Sequence, residues 1–237
     1  MLDPTTRWPN GDKPDHAGLL TYAGMPYTED AAELAGVDVA IIGAAMDELV
    51  SETPGARNGP RAIRAAGGLP GPHLEAGIDA MAELRVVDFG DAPVIPADPA
   101  ASHAAILRTV GEAVDAGTIP VVLGGDHSIA EPDIRACAER HGPLGLLHFD
   151  THTDTATQVF GVELSHGSPM YHLVRDGHVD RAATPRSACA DTGRAPRSSP
   201  GRRSRASRRS RCTRCARRGS PLRSSERSPW SATARRS

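Results

Sequence analysis

The chain has 237 residues, enough for one large α/β domain or two small ones, and its formal net charge of −2 conceals two unlike parts. Residues 1–180 carry 10 Lys+Arg against 27 Asp+Glu, a balance of −17, whereas residues 181–237 carry 17 Arg against two acids, Asp191 and Glu226, a balance of +15. The longest apolar run, VAIIGAAM at 39–46, is far short of the roughly 20 residues that span a bilayer, so no membrane partner is expected and a cytoplasmic location follows by default.

The first 30 residues read as an N-terminal extension: MLDPTTRWPNGDKPDHAG is polar and proline-rich, without the apolar core of a secretory signal. Strand and helix patterns then alternate from 31 to 180. VDVAIIGA (37–44) is a continuous apolar run ending near glycine, the pattern of a strand buried on both faces, and LRVVDFGD (84–91) reads similarly. SHAAILRTVGEAVDAG (102–117) has Ser102 as a candidate N-cap, Ile106, Val110 and Val114 at four-residue spacing, and Gly117 as a stop. IPVVLGGDHS (119–128) predicts a strand breaking into a Gly-Gly turn, and EPDIRACAERHG (131–142) a helix with Pro132 early and Gly142 at its end. PLGLLHFD (143–150) predicts the next strand and SPMYHLVRDG (168–177) a capped helix. Units of this kind predict an α/β fold, a parallel sheet with helices on both faces.

From about residue 181 the composition is nearly all Arg, Ser, Ala, Pro, Thr and Gly, with Leu222 and Trp230 as isolated exceptions. Such a segment cannot bury enough apolar surface to offset the entropy of ordering and is expected to be disordered. A basic arm for nucleic acid is one reading. Against it stand the near absence of aromatic residues for base stacking and of lysine, Lys13 being the only one in the chain. These residue types also dominate when a GC-rich gene is read out of frame, and that origin is the expectation. Cys189, Cys212 and Cys215 lie in this part, and the CTRC pair at 212–215 lacks the second half of a zinc or redox site.

Chemistry concentrates at two strand ends, where ligands gather in parallel sheets. HFDTHTDT (148–155) places His148, Asp150, His152 and Asp154 at every second position, on one face of an extended chain. Acids and imidazoles crowded there would repel and desolvate one another unless a cation joined them. GGDHS (124–128) ends the preceding strand, so His127 can approach Asp150, His152 and Asp154. Mixed imidazole and carboxylate ligands suit Mn²⁺, Zn²⁺ or Fe²⁺ better than Ca²⁺.

GGDHSI (124–129), HFDTHTDT (148–155) and SHGSPM (165–170), together with PGARNGPRAIR (54–64), resemble the ureohydrolase family of agmatinases, guanidino-acid hydrolases and arginases. The resemblance implies an arginase-like three-layer sheet and two Mn²⁺ ions. His127 would bind one, His152 the other, Asp150 would bridge both, and Asp154 would complete the first. It implies His166 as a proton shuttle, though spacing alone would equally let His166 cap the helix from 168. One departure is mild: Thr151 stands where the family usually has alanine. The other is large, because no second aspartate pair in a D-x-D segment follows, and the family's last, centrally packed strands have no counterpart. The second metal site is therefore expected to be incomplete and this chain impaired.

The reaction implied is hydrolysis of a small cationic guanidino compound, agmatine first, to urea and an amine by an intact homo-oligomeric enzyme. A non-catalytic remnant and nucleic-acid binding through the basic tail are the alternatives.

Overall fold

In the computed structural model, residues 17–68 and 71–182 are described. Three parallel strands, β1 (Val39–Ala44), β2 (Val86–Asp91) and β3 (Ile119–Gly124), form a sheet in the order β2-β1-β3 among the described residues. Val39 pairs with Val86 on one side and with Ile119 on the other, and the β1–β3 register runs unbroken to Ala44 opposite Gly124. The three strand segments expected from continuous apolar runs are these three strands.

Among the described residues five α-helices accompany them: α1 (Gly59–Ala66), α2 (Ala80–Glu83), α3 (Pro99–Asp115), α4 (Ala130–His141) and α5 (Pro169–Arg175). Ala40, Ile42 and Ala44 of β1 and Val87 and Phe89 of β2 share a buried core with Ile106, Val110 and Val114 of α3 and Ala136 of α4. Because side chains alternate across a strand, the other face of β2 presents Asp88, and there Arg64 of α1 meets it at 2.8 Å. Each large aliphatic or aromatic side chain fully removed from water contributes about 1.5–3 kcal/mol, so Ile42, Ile106 and Phe89 hold β1, β2 and α3 together.

Two local expectations are corrected. Helix α3 starts earlier than Ser102: Asp98 is its N-cap, accepting the Ala101 N–H at 3.0 Å, and Pro99 fills the first turn. Ser102 is buried inside the helix, its hydroxyl bonded to the Ile95 carbonyl and amide. Nor does Ser168 cap α5 through its side chain. Its hydroxyl accepts from the Ser165 N–H at 2.9 Å and donates to the Glu163 carbonyl at 2.6 Å, closing the turn ahead of the helix.

Residues 143–150 run extended, with Leu144, Leu146, His148 and Asp150 partly buried and Leu147 and Phe149 exposed between them. They form no strand of the sheet. Leu144 bridges Val179, and Asp180 N–H donates to Leu144 O at 2.8 Å. An extended segment becomes a strand only beside a continuous hydrogen-bonding neighbour, and the described part of β3 does not supply one.

The described residues belong to one unit, Met1–Gly193. The basic tail from 181, apart from Arg181 and Ala182, lies outside the described residues, as do Cys189, Cys212, Cys215 and residues 1–16 of the N-terminal extension. No helix among the described residues is long and apolar enough to cross a membrane.

Candidate metal centre

The site is assembled at the carboxyl ends of β1 and β3. After Gly124 the chain turns through Gly125, whose φ of +91° favours glycine. A Cβ at Gly125 would sit 2.3 Å from the Ala44 carbonyl and 2.7 Å from that of Met46, so only glycine lets this turn lie against the end of β1. Asp126 then caps a short 3₁₀ turn, His127–Ile129, by accepting the Ser128 N–H at 2.8 Å. That cap fixes the direction in which His127 leaves the turn.

His127, His148, Asp150 and Asp154 each offer a ligand atom, all within 4.8 Å of one another. His127 Nδ1 lies 2.5 Å from Asp154 Oδ2 and 3.8 Å from Asp150 Oδ2, and His148 Nε2 lies 3.5 Å from Asp150 Oδ2. The hydrogen bond with Asp154 raises the His127 pKa above its ordinary value, outweighing the opposing effect of burial. Burial works against the Asp150 carboxylate, but the His152 N–H and the surrounding imidazoles outweigh it and hold that pKa low. Asp150 is therefore ionised and matched by nitrogen donors.

Of the residues singled out in the sequence, His127, Asp150 and Asp154 converge, whereas His152 does not join them. Its side chain is 73% exposed, with Nδ1 3.6 Å from Asp150 Oδ1. His148, the fourth member of the alternating run, joins the group, and His152 lines the adjoining cleft. The cause is local. Asp150 Oδ1 accepts the His152 N–H at 2.8 Å, an Asx-type turn, and Asp154 has φ +43°. The extended run thus ends at Asp150, and the chain then turns, sending His152 outward while Asp154 returns to the group.

The donor set suits a divalent cation. Nε2 of His148 is buried without a hydrogen-bond partner, a cost that a coordinated ion would remove. A tetrahedral ion with bonds of about 2.0–2.1 Å would set its ligand atoms about 3.4 Å apart, close to the Asp150–His127 and Asp150–His148 separations above. A cleft of about 540 Å³ opens on this group, lined also by Val50, Glu52, Asp126, His152 and His166. His166 does not cap α5. Its Nδ1 donates to the Leu49 carbonyl at 2.5 Å, so in the neutral ring Nε2 carries the lone pair.

The arginase family model matches residues 37–190. The chain belongs to that family. It is 41% identical over 146 residues to the human mitochondrial guanidino acid hydrolase, covering 61% of this chain and 42% of the relative. It is 37% identical over 169 residues to the agmatinase of Chromobacterium violaceum, covering 70% of this chain and 51% of the relative. The structure of proclavaminate amidino hydrolase from Streptomyces clavuligerus superposes with a TM-score of 0.67 at 33% identity, over 73% of this chain and 56% of that one. This member of the arginase family thus spans about half the length of the curated relatives it matches.

Two organising residues escaped the sequence reading. Asp126 received no role of its own beside His127. Asp47, buried just after β1, accepts N–H bonds from Gly55 at 2.5 Å and Arg57 at 3.0 Å. The Arg57 side chain pairs with it as well. These bonds outweigh the cost of burial and lower the Asp47 pKa, so the loop that walls the cleft closes on a charged carboxylate. The signal that could have found Asp47 is its place one turn beyond a buried strand.

Proposed function

We propose that this chain carries one part of the apparatus by which a guanidino compound, agmatine or a close analogue, is hydrolysed to urea and an amine. The observation that supports it is the grouping of His127, His148, Asp150 and Asp154, three of which, His127, Asp150 and Asp154, line one cleft with His166, on a chain of the arginase family. The proposal includes Mn²⁺ as the metal, two ions in an intact homologue, a cytoplasmic setting and a homo-oligomer. It also holds that the chain as it stands is impaired, since among the described residues only Asp150 and Asp154 supply carboxylates to the group.

Asp150, Asp154, His127 and His148 would hold the ion. When bound, a divalent ion lowers the pKa of water enough to supply hydroxide at neutral pH. The carboxylates and Glu52 favour a cationic substrate at the mouth of the cleft. His166, with Nδ1–H engaged by Leu49, offers the Nε2 lone pair to take up a proton from solvent and then pass it to the departing amine. The test is urea release from agmatine and from guanidino acids with excess Mn²⁺. For the chain joined to the remaining half of a relative, no urea from any of these substrates would overturn the reading.

A further inference from the structure

We propose that Asp126 is a positioning residue for His166, fixing the tautomer of that imidazole through the backbone of Leu49. The inference rests on the functional reading above, in which His166 handles the proton of the leaving amine.

Asp126 is 4% exposed, and both its oxygens are used. Oδ1 accepts the Ser128 N–H at 2.8 Å and so holds the His127 turn, whereas Oδ2 accepts the Leu49 N–H at 3.1 Å, 77 residues away. The Asp126 N–H donates to Met46 O at 2.9 Å, adding a second stitch between the same turn and the loop after β1. One carboxylate therefore ties the His127 turn to the peptide that contacts His166.

The Leu49 carbonyl can only accept. At 2.5 Å from His166 Nδ1, it requires the proton on Nδ1 and leaves the lone pair on Nε2. A competitor stands beside it: the Ser165 hydroxyl lies 3.1 Å from the same nitrogen, and a hydroxyl can donate as well as accept. While Leu49 is held, Ser165 is confined to accepting or to bonding elsewhere. When Leu49 is released, Ser165 can donate to Nδ1 and drive the proton to Nε2. The ring would then present a donor where the reaction needs a lone pair that can be protonated and can deliver. A residue that never touches substrate thus selects which of two chemically different imidazoles faces it.

The test uses the full chain, labelled with ¹⁵N, and reads the ring nitrogens of His166 by long-range proton–nitrogen correlation. Wild type should show His166 protonated at Nδ1. In Asp126→Ala, and in Asp126→Asn, whose Nδ2 sets a donor where one of the two accepting oxygens stood, the ring should shift toward the Nε2–H form. Adding Ser165→Ala should restore the Nδ1–H form. A purely structural role for Asp126 would change line widths without changing the tautomer. Should the Asp126 variants fail to fold, amide exchange in the wild type decides. The Leu49 amide should exchange at least about 100-fold more slowly than those of Ser51 and Thr53. A wild-type ring protonated at Nε2, an unchanged tautomer in the folded variants, or a Leu49 amide as fast as its neighbours would each overturn the proposal. None of these readings depends on whether the chain releases urea, so failure here is distinct from failure of the functional reading.

Discussion

The imidazoles of His127 and His148 stack with centroids 5.3 Å apart and planes 26° from parallel. The pair comes from two separate segments, and both rings approach the same oxygen, Asp150 Oδ2, at 3.8 and 3.5 Å. His152, two residues beyond Asp150, is turned to solvent. His148→Ala should therefore weaken Mn²⁺ or Zn²⁺ binding by about 10–100-fold or more, in the range that loss of metal-site groups produces. His152→Ala should change it less than about threefold. Calorimetric titration of the metal into the full chain measures both, and the opposite order would return His152 to the ligand set.

Arg64 is the strongest lock between α1 and the sheet. Its guanidinium makes two parallel bonds to Asp88, at 2.8 and 2.9 Å, and reaches Gly90 O at 3.0 Å and Asp91 at 2.5 Å. Asp88 and Arg64 are both buried. Removing one partner of a buried pair leaves an uncompensated charge and costs about 3–5 kcal/mol. Arg64→Ala should lower the urea midpoint accordingly, and Arg64→Lys should recover only part, because an ammonium cannot reproduce the two-point contact. Equal midpoints for the lysine variant and wild type would show that geometry is unimportant here.

Much of the fold was legible because strands buried on both faces must be continuously apolar, which marked β1, β2 and β3. Helix α4 was legible from Pro132 and Gly142. What escaped depends on partners distant in sequence. Pairing of residues 143–150 is set by neighbours, not by their own pattern. Asp98 was overlooked as the cap of α3 in favour of Ser102, although Asp before Pro99 is itself a start signal. In the site, His127, Asp150 and Asp154 were legible from the expected strand ends. The outward turn of His152 was not, because it goes with one Asx-type turn at Asp150. Nor was the Asp126–Leu49 bond, which joins residues 77 positions apart.

Asp133 offers a pH signature independent of the metal group. Its Oδ1 is buried without a hydrogen-bond partner, and burial, reinforced by neighbouring Glu131, pushes its pKa up to about 8. In the unfolded chain an aspartate titrates near 3.9. Between those values the folded protein holds a proton that the unfolded chain releases. Stability must then fall as pH rises from about 4 to about 8 and level off above. Asp133→Asn removes this dependence. Its stability relative to wild type should be near zero at pH 4 and favourable by on the order of a few kcal/mol at pH 8. Denaturation midpoints across that range measure it, and a constant difference would show that Asp133 is solvated and ionised.

Ile119 and Val121 of β3 are 65% and 40% exposed, and Leu147 and Phe149 are 55% and 76% exposed. These side chains lie on the two segments that deliver His127 and Asp150. The relatives contain about as much chain again, and strand edges left open with apolar side chains favour aggregation over a stable fold. The 237-residue chain alone should therefore bind a hydrophobic dye, unfold at a low midpoint and release little urea. Joining residues 17–182 to the second half of the Chromobacterium violaceum agmatinase should abolish dye binding, raise the midpoint and produce Mn²⁺-dependent urea release from agmatine. Asp150→Asn in that fusion should cost at least about 100-fold in rate, the scale on which loss of a preorganised electrostatic group acts. Robust turnover by the chain alone, with a midpoint equal to that of the fusion, would show that the open edges and the paired histidines already suffice.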